Sequence, residues 1–346
     1  MSMEPVRVGI LGAGANTQAR HIPGLLAIEG VRIVGVCNRT PASSERVAGQ
    51  FGIPKTFPNW TDLIADPEIN AVVIGTWPYM HCRATLAALA ADKHVLCEAR
   101  MAMDAREAHA MRDAARAKPH LVAQIVPSPM TLRVDETVKR RIAEGYLGDV
   151  LAVEVRAGGA FLDRQAPLHW RQDVDLSGVN TMSLGIWYEA VMRWVGHATR
   201  VTAMGKTFVT MRKDEAGMLR AVRIPEHLDV VADMACGAQA HFQISSVTGL
   251  SGSPEVFLFG SDGTLRFCDD TLYGGRRGDK DLKEIPIPPE QEGRWRVEEE
   301  FVDAIRGRGV VTHTTFEDGV KYMEFTEAVV RSMATGHAVS LPLCPL

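Results

Sequence analysis

The feature that most constrains the fold is an alternation of short apolar runs with helix-like stretches over about the first 125 residues. The apolar runs are Val6–Leu11, Val31–Cys37, Ala71–Gly75, His94–Cys97 and Leu121–Val126. Short runs that are apolar throughout are typical of strands buried on both faces of a parallel sheet. Between them, Thr40-Pro41 has the pattern of a helix N-terminus, and Asp104 and Glu107 have capping-box spacing ahead of a helix through Ala117. The alternation predicts an α/β fold whose first domain has an open, doubly wound parallel sheet.

The pattern changes at Pro127-Ser128-Pro129, where two prolines in three residues predict a domain boundary. After a helix over Leu132–Glu144, turns rather than helices join the β-like runs, which predicts an α+β second domain with an open-faced, mostly antiparallel sheet. The runs are Val150–Arg156, Arg200–Thr210, Leu228–Met234, Gln239–Ser246, Val256–Phe259 and Thr264–Phe267, followed by helices over Glu298–Arg306 and Phe316–Thr335. We therefore expect domains over residues 1–127 and 128–346.

Composition excludes several classes of protein. The 346 residues are 46% hydrophobic and 23% charged with a net charge of −4, which is ordinary for a globular chain. Without a dense basic run, we expect no nucleic-acid or anionic-membrane partner. Neither a membrane-spanning run nor a signal peptide is expected. Six scattered cysteines without a C-x-x-C pair predict neither structural zinc nor a disulfide framework, so we expect a cytoplasmic protein with no metal site.

A glycine-rich turn, Gly12-Ala13-Gly14-Ala15-Asn16-Thr17, follows the first strand. Gly12 permits a tight turn, and Gly14 lets a pyrophosphate approach the backbone at a helix N-terminus. The pattern therefore predicts a dinucleotide site that includes Gly12, Gly14, Ala15 and Asn16. Thr17 stands where the usual motif has a third glycine, so a tight turn without a ligand is the alternative.

The residues that end the second strand, Asn38 and Arg39, indicate which dinucleotide is bound. An acidic residue at this point usually accepts the ribose hydroxyls of NAD. Here a neutral amide removes the repulsion of a 2′-phosphate, and the Arg39 guanidinium can pair with that phosphate. We predict that NADP is favoured over NAD, with adenine covered by Arg39 as the alternative.

Short motifs follow one another in a fixed order along nearly the whole chain. They lie at Gly9–His21, Thr76–His81, Asp92–Arg100, Glu144–Gly148, Trp170-Arg171, Ser177-Gly178, Gly260–Leu265 and Leu341-Pro342. In this order the chain resembles the glucose–fructose oxidoreductase, inositol dehydrogenase and MocA family (Gfo/Idh/MocA). The resemblance implies a Rossmann domain, a nicotinamide cofactor and polyol, sugar or cyclitol-like substrates. It also implies that five residues contact the cofactor, namely Thr76, Trp77, Pro78, His81 and Glu98. For His81 a structural role at a helix start is the alternative.

Three positions depart from the family's catalytic pattern. The lysine of its E-K-P segment falls at Ala99, and its proline at Arg100. The aspartate and histidine of its D-x-G-x-H segment fall at Ser183 and Trp187. Alanine and tryptophan cannot exchange a proton at neutral pH. The family's proton relay is therefore expected to be absent, which predicts an altered active site.

Other residues could replace that relay. Arg100 could clamp a carboxylate or polarise a carbonyl, with Glu98 helping to position the substrate. His169 is a titratable candidate for proton exchange, with a surface position as the alternative. Tyr188 is a second candidate, although packing is its default role. Trp187 would present a flat wall to a planar substrate, unless it only fills space left by the missing ligand.

These observations favour an NAD(P)-binding oxidoreductase acting on a small hydroxylated or planar carboxylated substrate. One alternative is a lyase or hydrolase with a structural or recycled cofactor, and another is an inactive cofactor-binding sensor or partner subunit. Self-association is also expected, as a homodimer or homotetramer, through the open face of the second domain's sheet. Ala240, Phe242 and Ile244 are candidates for one of the two faces of that sheet.

Overall fold

The computed structural model describes residues 5–343. Contacts between residues divide the chain into two units. The first combines the chain up to Pro127 with Arg296–Val320, and the second combines Ser128–Trp295 with the chain from Lys321 onward. The expectation that residues 128–346 form one domain is therefore wrong for 296–320. This segment belongs to the first unit because its glutamates bind side chains there, among them His21.

The first unit contains a six-stranded parallel sheet with the order β3-β2-β1-β4-β5-β6. Its strands are β1 (Val6–Leu11), β2 (Val31–Cys37), β3 (Lys55–Thr56), β4 (Ala71–Ile74), β5 (His94–Cys97) and β6 (Ala123–Ile125). Its first helices are α1 (Ile22–Leu26), which continues a π-helical turn over Thr17–His21, then α2 (Pro41–Phe51), α3 (Trp60–Ala65), α4 (Pro78–Ala90) and α5 (Ala105–Arg116). The strand order reverses between β1 and β4, which confirms the doubly wound fold.

Two helix N-termini in this unit have the predicted caps. The Thr40 side chain accepts a hydrogen bond from the Ser43 backbone N–H at 3.3 Å, and Pro41 begins α2. The Asp104 carboxylate accepts from the Glu107 N–H at 2.8 Å. These bonds satisfy backbone donors that the helices themselves leave unpaired, so the helices begin where the sequence indicates.

The second unit is built on a larger mixed sheet. Its helices are α6 (Asp135–Ala143), α7 (Val174–Ser177) and α8 (Leu184–Val195). Its strands are β7 (Val150–Ala157), β8 (Ala198–Lys206), β9 (Met211–Lys213), β10 (Leu219–Ala221), β11 (His227–Met234), β12 (Gln239–Ser245), β13 (Glu255–Gly260), β14 (Gly263–Cys268), β15 (Thr271–Arg276) and β16 (Lys283–Glu284). The chain continues with α9 (Val297–Ile305), α10 (Phe316–Thr335) and β17 (Val339–Ser340), and α10 begins in the first unit and continues in the second.

The nine-stranded sheet has the order β16-β15-β14-β13-β7-β12-β11-β8-β17. Of its described strand pairs, β7–β12 is parallel and the others are antiparallel, so the predicted mostly antiparallel sheet is confirmed. Strands β9 and β10 form a separate hairpin. No helix within residues 5–343 is long and apolar enough to cross a membrane.

One face of the large sheet is covered by helices. Ala240, Phe242 and Ile244 point to this face and are buried. Tyr188 of α8 stacks on Phe325 of α10 with ring centroids 3.6 Å apart, and both rings lie beside Phe242. The opposite face carries a mixture of charged and apolar side chains, including Glu154, Arg156, Val231, His241, Phe257 and Phe259.

Candidate functional site

The two glycines of the turn after β1 have different physical roles. Gly12 has a φ of +84°, and a Cβ there would lie 2.6 Å from Thr76 Cγ2, so the fold itself requires glycine at this position. A Cβ on Gly14 would meet only the Gly75 carbonyl oxygen, at 3.5 Å, which is an ordinary contact. The protein therefore does not need Gly14 for its own packing. Its open space faces outward, where a bound group can approach the backbone.

Thr17 stands where the usual motif has its third glycine, and Gly75 at the end of the neighbouring strand β4 provides the space that Thr17 needs. Thr17 is buried, and its hydroxyl donates to the Gly12 carbonyl oxygen at 3.2 Å. A Cβ on Gly75, directly after β4, would collide with the Thr17 hydroxyl and that carbonyl. Gly75 thus supplies the close packing that the third glycine gives in the usual motif. The incomplete motif is compatible with a complete turn.

A groove of about 490 Å³ lies at the carboxyl ends of β1, β2 and β4. Six of the predicted cofactor residues line it, namely Gly12, Gly14, Asn38, Arg39, Thr76 and Trp77. The sequence patterns missed Ser43, Pro58, Asn59 and Trp60, which also line the groove, as does Tyr79. The groove lies where doubly wound sheets bind their ligands, at the reversal of strand order.

The Asn38 side chain braces the glycine turn. Its Oδ1 accepts from the Ala13 N–H at 2.7 Å, and its Nδ2 donates to the Ser43 carbonyl oxygen and hydroxyl, both at 3.1 Å. Both of its amide hydrogens are therefore engaged within the protein. Because Asn38 has no remaining donor for a ribose or phosphate, discrimination between dinucleotides at this point depends on its neighbours.

Arg39 lies across the groove from the first turn of α4. Its guanidinium carbon is 5.5 Å from the centre of the Trp77 ring, within the range of a cation–π contact. Arg39 and Trp77 both line the groove. The two side chains thus combine a fixed positive charge with a flat apolar surface, as a phosphorylated nucleoside requires.

A buried cluster of three ionisable side chains, His21, Glu98 and Glu298, lies beside the glycine turn. His21 Nε2 is 3.0 Å from Glu98 Oε1, and His21 Nδ1 is 2.5 Å from Glu298 Oε1. Asn16 of the turn donates its Nδ2 to Glu98, whose other oxygen accepts from the Ala99 N–H at 3.1 Å. Glu98 directly follows β5, and Glu298 lies on α9. Sequence patterns identified Glu98 and Asn16 but missed His21 and Glu298.

The cluster keeps its histidine charged. Burial alone would lower the pKa of His21, but hydrogen bonds to Glu298 and Glu98 and the charges of both carboxylates raise this pKa to about 9. Burial would raise the pKa of Glu98, but the contacts with His21 and Asn16 lower it. His21 is therefore an imidazolium at neutral pH, held between carboxylates.

Several predicted residues of the first unit do not line the groove, and the side chain of one of them, His81, binds backbone carbonyl groups instead. His81 is fully buried, with Nδ1 2.9 Å from the Arg100 carbonyl oxygen and Nε2 3.0 Å from that of Thr76. These contacts contradict a direct cofactor contact and support the alternative role of His81 at a helix start. Pro78 begins α4 and is buried, as is Arg100. Ala15 is exposed on the turn.

In the second unit, Tyr188 lies in the core beneath the large sheet. Its hydroxyl oxygen accepts a hydrogen bond from the Ala198 N–H at 2.8 Å, and burial raises its pKa well above the usual range. This environment contradicts the prediction that Tyr188 donates a proton. Trp187 is only 4% exposed, which favours the alternative that it fills space. Ser183 precedes α8.

His169 lies at the edge of a second groove, of about 310 Å³, within the second unit. Burial lowers the pKa of His169, and the charge of Arg171 lowers it further, so the ring is neutral at pH 7. The Arg171 guanidinium also lines this groove and stacks 4.1 Å from the centre of the Trp170 ring. The groove therefore brings together a neutral histidine and a cation.

A buried ion pair supports the wall of this second groove. Arg212 Nη2 donates to Glu226 Oε1 at 2.7 Å, and both side chains are almost fully buried. Arg212 Nη1 donates to the carbonyl oxygens of Asp163 and Ala166 at 2.9 and 2.8 Å. The pair thus holds the segment that precedes His169 in place.

The described residues show no metal site and no paired thiols. Within residues 5–343, no group of three or more His, Cys, Asp or Glu side chains could hold a metal ion. Five cysteines in this range, Cys37, Cys82, Cys97, Cys236 and Cys268, are free thiols, whereas Cys344 lies outside the described residues. The cytoplasmic location stays a prediction.

Comparison with known proteins identifies the family. Residues 6–125 match the “Oxidoreductase family, NAD-binding Rossmann fold”, and residues 136–266 match the “GFO/IDH/MocA C-terminal domain”. The chain is similar to levoglucosan dehydrogenase from Pseudarthrobacter phenanthrenivorans, with 24% identity over 98% of this chain and 99% of that one. It is also similar to trans-1,2-dihydrobenzene-1,2-diol dehydrogenase from Oryctolagus cuniculus, with 25% identity over 76% of each chain.

The fold agrees with a solved relative. The structure of levoglucosan dehydrogenase in complex with NADH superposes with a TM-score of 0.86 at 22% identity, covering 99% of this chain and 100% of that chain. Its two-part architecture corresponds to the α/β fold described above. With both of its parts matched, this chain belongs to the Gfo/Idh/MocA family of NAD-binding oxidoreductases.

Proposed function

We propose that this chain is an NADP-preferring oxidoreductase that acts on a small ring-bearing or carboxylated substrate without the family's usual proton relay. The observation that carries the cofactor assignment is the open space above Gly14, because the protein leaves it unfilled at the turn that borders the first groove. Backbone N–H groups at such a turn bind pyrophosphate. When bound, the nicotinamide supplies hydride transfer.

The preference for NADP is supported by the end of β2. Asn38 is neutral and fully engaged with Ala13 and Ser43, so no carboxylate repels a 2′-phosphate here. Arg39 supplies the positive charge, and the Ser43 hydroxyl lines the same groove. A guanidinium beside a hydroxyl at the N-terminus of α2 suits a phosphate better than two ribose hydroxyls.

The substrate class is supported by the second groove. Apolar side chains, namely Phe161, Leu162, Met182 and Ile224, line it together with Arg171 and His169. Such a groove suits a planar or apolar ring with an anionic end. The name of the trans-1,2-dihydrobenzene-1,2-diol dehydrogenase relative is consistent with a ring-bearing diol.

His169 is the residue that we propose for proton exchange. Its ring is neutral at pH 7, and its Nδ1 accepts a hydrogen bond from the Arg171 backbone N–H at 3.2 Å. Release of that hydrogen bond lets Nδ1 accept a proton from a substrate hydroxyl. Arg171 two residues later can hold a carboxylate or polarise a carbonyl, and the 3₁₀ turn Trp170–Gln172 fixes the spacing between the two. Tyr188 takes no part, because it is sequestered in the core.

A substrate panel tests the proposal. The unmodified protein is assayed for NAD(P)H formation with inositols and aldoses, and with cyclic diols and ring-bearing hydroxy acids. We expect very slow polyol oxidation, because positioned general bases typically contribute about 10²–10⁴-fold and Ala99, Ser183 and Trp187 supply none. Faster turnover is expected with the ring-bearing compounds. His169→Gln should slow it, and His109→Gln, on α5 of the first unit, is the matched control.

Two outcomes would contradict this proposal. Robust oxidation of simple polyols would mean that another residue supplies the base. Conversion of a substrate with bound cofactor but no net change in NAD(P)H would favour a lyase or hydrolase that recycles the cofactor. As a complementary test, Ala99→Lys combined with Trp187→His should increase polyol oxidation if the scaffold is otherwise intact.

We also propose that the chain self-associates through the open face of the nine-stranded sheet. Helices α8 and α10 cover the face of Phe242, whereas the opposite face leaves Val231 and Met204 exposed at 42% and 79%. Exposed apolar side chains among charges are common at subunit interfaces. Sedimentation of the unmodified protein at micromolar concentration should show a dimer or tetramer, and a monomer would contradict the proposal.

A further inference from the structure

We propose that Glu98 and Glu298, joined by His21, make the first unit bind the oxidised form of its nicotinamide cofactor more tightly than the reduced form. This inference rests on the proposed function, since it requires a nicotinamide dinucleotide at the first groove. It concerns the difference in affinity between the oxidised and the reduced cofactor.

The topology of the first unit places the cluster at one end of the dinucleotide site. Arg39 follows β2, so the adenosine half belongs on the β2 side of the strand-order reversal. The nicotinamide half then belongs on the side of β4 and β5. Glu98 directly follows β5, and Asn16 of the glycine turn donates to its carboxylate. Glu98 is therefore at the nicotinamide end.

The second carboxylate, that of Glu298, fits into a space beside the backbone of α1. Glu298 comes from α9, and its side chain is 5% exposed. A Cβ on Gly24 of α1 would lie 3.0 Å from the Glu298 carboxylate carbon, so a glycine there admits the carboxylate. Three separate segments of the chain thus converge on His21.

The cluster contains two carboxylates for one histidine, and this ratio suggests an effect on the cofactor. Burying a charge is costly unless it is paired, and one carboxylate would suffice to pair the His21 imidazolium. Two carboxylates share it here, at 3.0 and 2.5 Å. The cluster therefore holds more negative than positive charge beside the nicotinamide end.

The two forms of the cofactor respond differently to such charge. The oxidised nicotinamide ring is positively charged and the reduced ring is neutral, while the phosphates are the same in both. Attraction between opposite charges in a partly solvated site changes a binding constant roughly fivefold, which corresponds to about 1 kcal/mol. For a two-electron couple, a fivefold preference for the oxidised form lowers the potential of the bound couple by about 20 mV.

Direct binding measurements test the inference. Dissociation constants of NADP⁺ and NADPH, and of NAD⁺ and NADH, are measured for the full chain by calorimetry at pH 6.5, well below the pKa of about 9 that His21 has in the unmodified protein. Glu98→Gln and Glu298→Gln should each reduce the preference for the oxidised form roughly fivefold. Glu300→Gln is the matched control, because Glu300 lies on the same helix but binds Gln124 and Thr312 instead of His21.

The outcomes separate this inference from the proposed function. A ratio unchanged in both variants, with binding retained, would overturn the inference and leave the proposed function intact. Loss of preference in Glu300→Gln as well would also overturn it, since the effect would not be specific to the cluster. Failure of the unmodified protein to bind any of the four dinucleotides would overturn the proposed function and, with it, the inference.

A measurement on the unmodified protein keeps the test valid if a variant does not fold. The protein with bound cofactor is equilibrated against a redox couple of known potential. The bound nicotinamide couple should have a lower potential than the free couple, by about 20 mV for a fivefold preference. A potential equal to or above that of the free cofactor would overturn the inference.

Discussion

Replacing Gly14 separates ligand binding from protein folding. The Gly14 Cβ would meet only one protein atom, the Gly75 carbonyl oxygen at 3.5 Å, and Gly14 does not have a positive φ. Gly14→Val should therefore leave the free energy of unfolding within about 1 kcal/mol of the unmodified protein. The added side chain fills the space through which a pyrophosphate reaches the backbone.

The size of the binding defect follows from the contacts that would be lost. A charge-assisted hydrogen bond contributes about 1.5–3 kcal/mol. Loss of one such bond lowers the affinity for the dinucleotide about ten- to hundredfold. Calorimetric titration with NADP⁺ measures this, and denaturant unfolding measures stability in parallel.

Gly12 provides the matched comparison. Because its φ is +84° and a Cβ would lie 2.6 Å from Thr76 Cγ2, Gly12→Ala should destabilise the protein by about 2–5 kcal/mol. Unchanged dinucleotide affinity in a folded Gly14→Val variant would refute the reasoning, and the turn would then be structural only.

Three other changes test neighbouring parts of the structure. Arg39→Ala should lower NADP affinity about tenfold or more and leave NAD affinity nearly unchanged, and equal losses for both in a titration would indicate adenine stacking instead. Because the folded-state pKa of His21 is raised from 6.5 to about 9, its contribution of roughly 3 kcal/mol is fully present below pH 6.5 and is lost as the pH rises through 9. Unfolding by denaturant across this range should show that decline, and His21→Gln should remove it. Arg212→Met should cost about 3–5 kcal/mol by leaving Glu226 buried without its cation, whereas Arg140→Met, from an exposed pair, should cost under about 1 kcal/mol.

Local pattern was sufficient for five of the six strands of the parallel sheet, and it missed only the two-residue strand β3. The predicted bounds of β1, β2 and β5 are the observed ones, because each strand is a mostly apolar run that is followed by a polar residue or glycine. The N-terminal caps at Thr40 and Asp104 could also be predicted, because each hydrogen bond joins residues only three positions apart. Such features depend on neighbours in sequence and can be read directly from it.

Local pattern failed where a turn had unusual residues. Strand β15 was not predicted, and it contains two adjacent glycines, which are unfavourable in strands. It forms a hairpin with β14 through Asp269 and Asp270, whose φ values are +50° and +57°. Two positive φ values are typical of a type I′ turn, in which asparagine or glycine is the usual signal. Because two aspartates occupy these positions, the usual turn signal is absent and the hairpin was not predicted.

The parts of the site that sequence missed depend on contacts between distant residues. His21 and Glu298 are 277 positions apart, so no spacing rule relates them. A histidine and a glycine follow the dinucleotide turn in the segment His21-Ile22-Pro23-Gly24. This signal indicates a buried cluster only once α9 is known to pack against the segment. At Asn38 the spacing identified a residue that lines the groove, and only the three-dimensional structure shows that its amide binds Ala13 and Ser43.

The division of the first unit into two stretches of chain affects how the protein is made. The stretch that supplies Glu298 and Glu300 begins at Arg296, after the whole of Ser128–Trp295. On the ribosome, at about 5–20 residues per second, the intervening 168 residues take roughly 8–34 s to synthesise. Throughout that interval His21 lacks Glu298, one of its two carboxylate partners, and Gln124 lacks Glu300. The first unit is therefore completed only after nearly the entire second unit has been translated. A nascent chain arrested before Arg296 therefore contains every residue that lines the first groove but lacks Glu298 of the buried ion cluster.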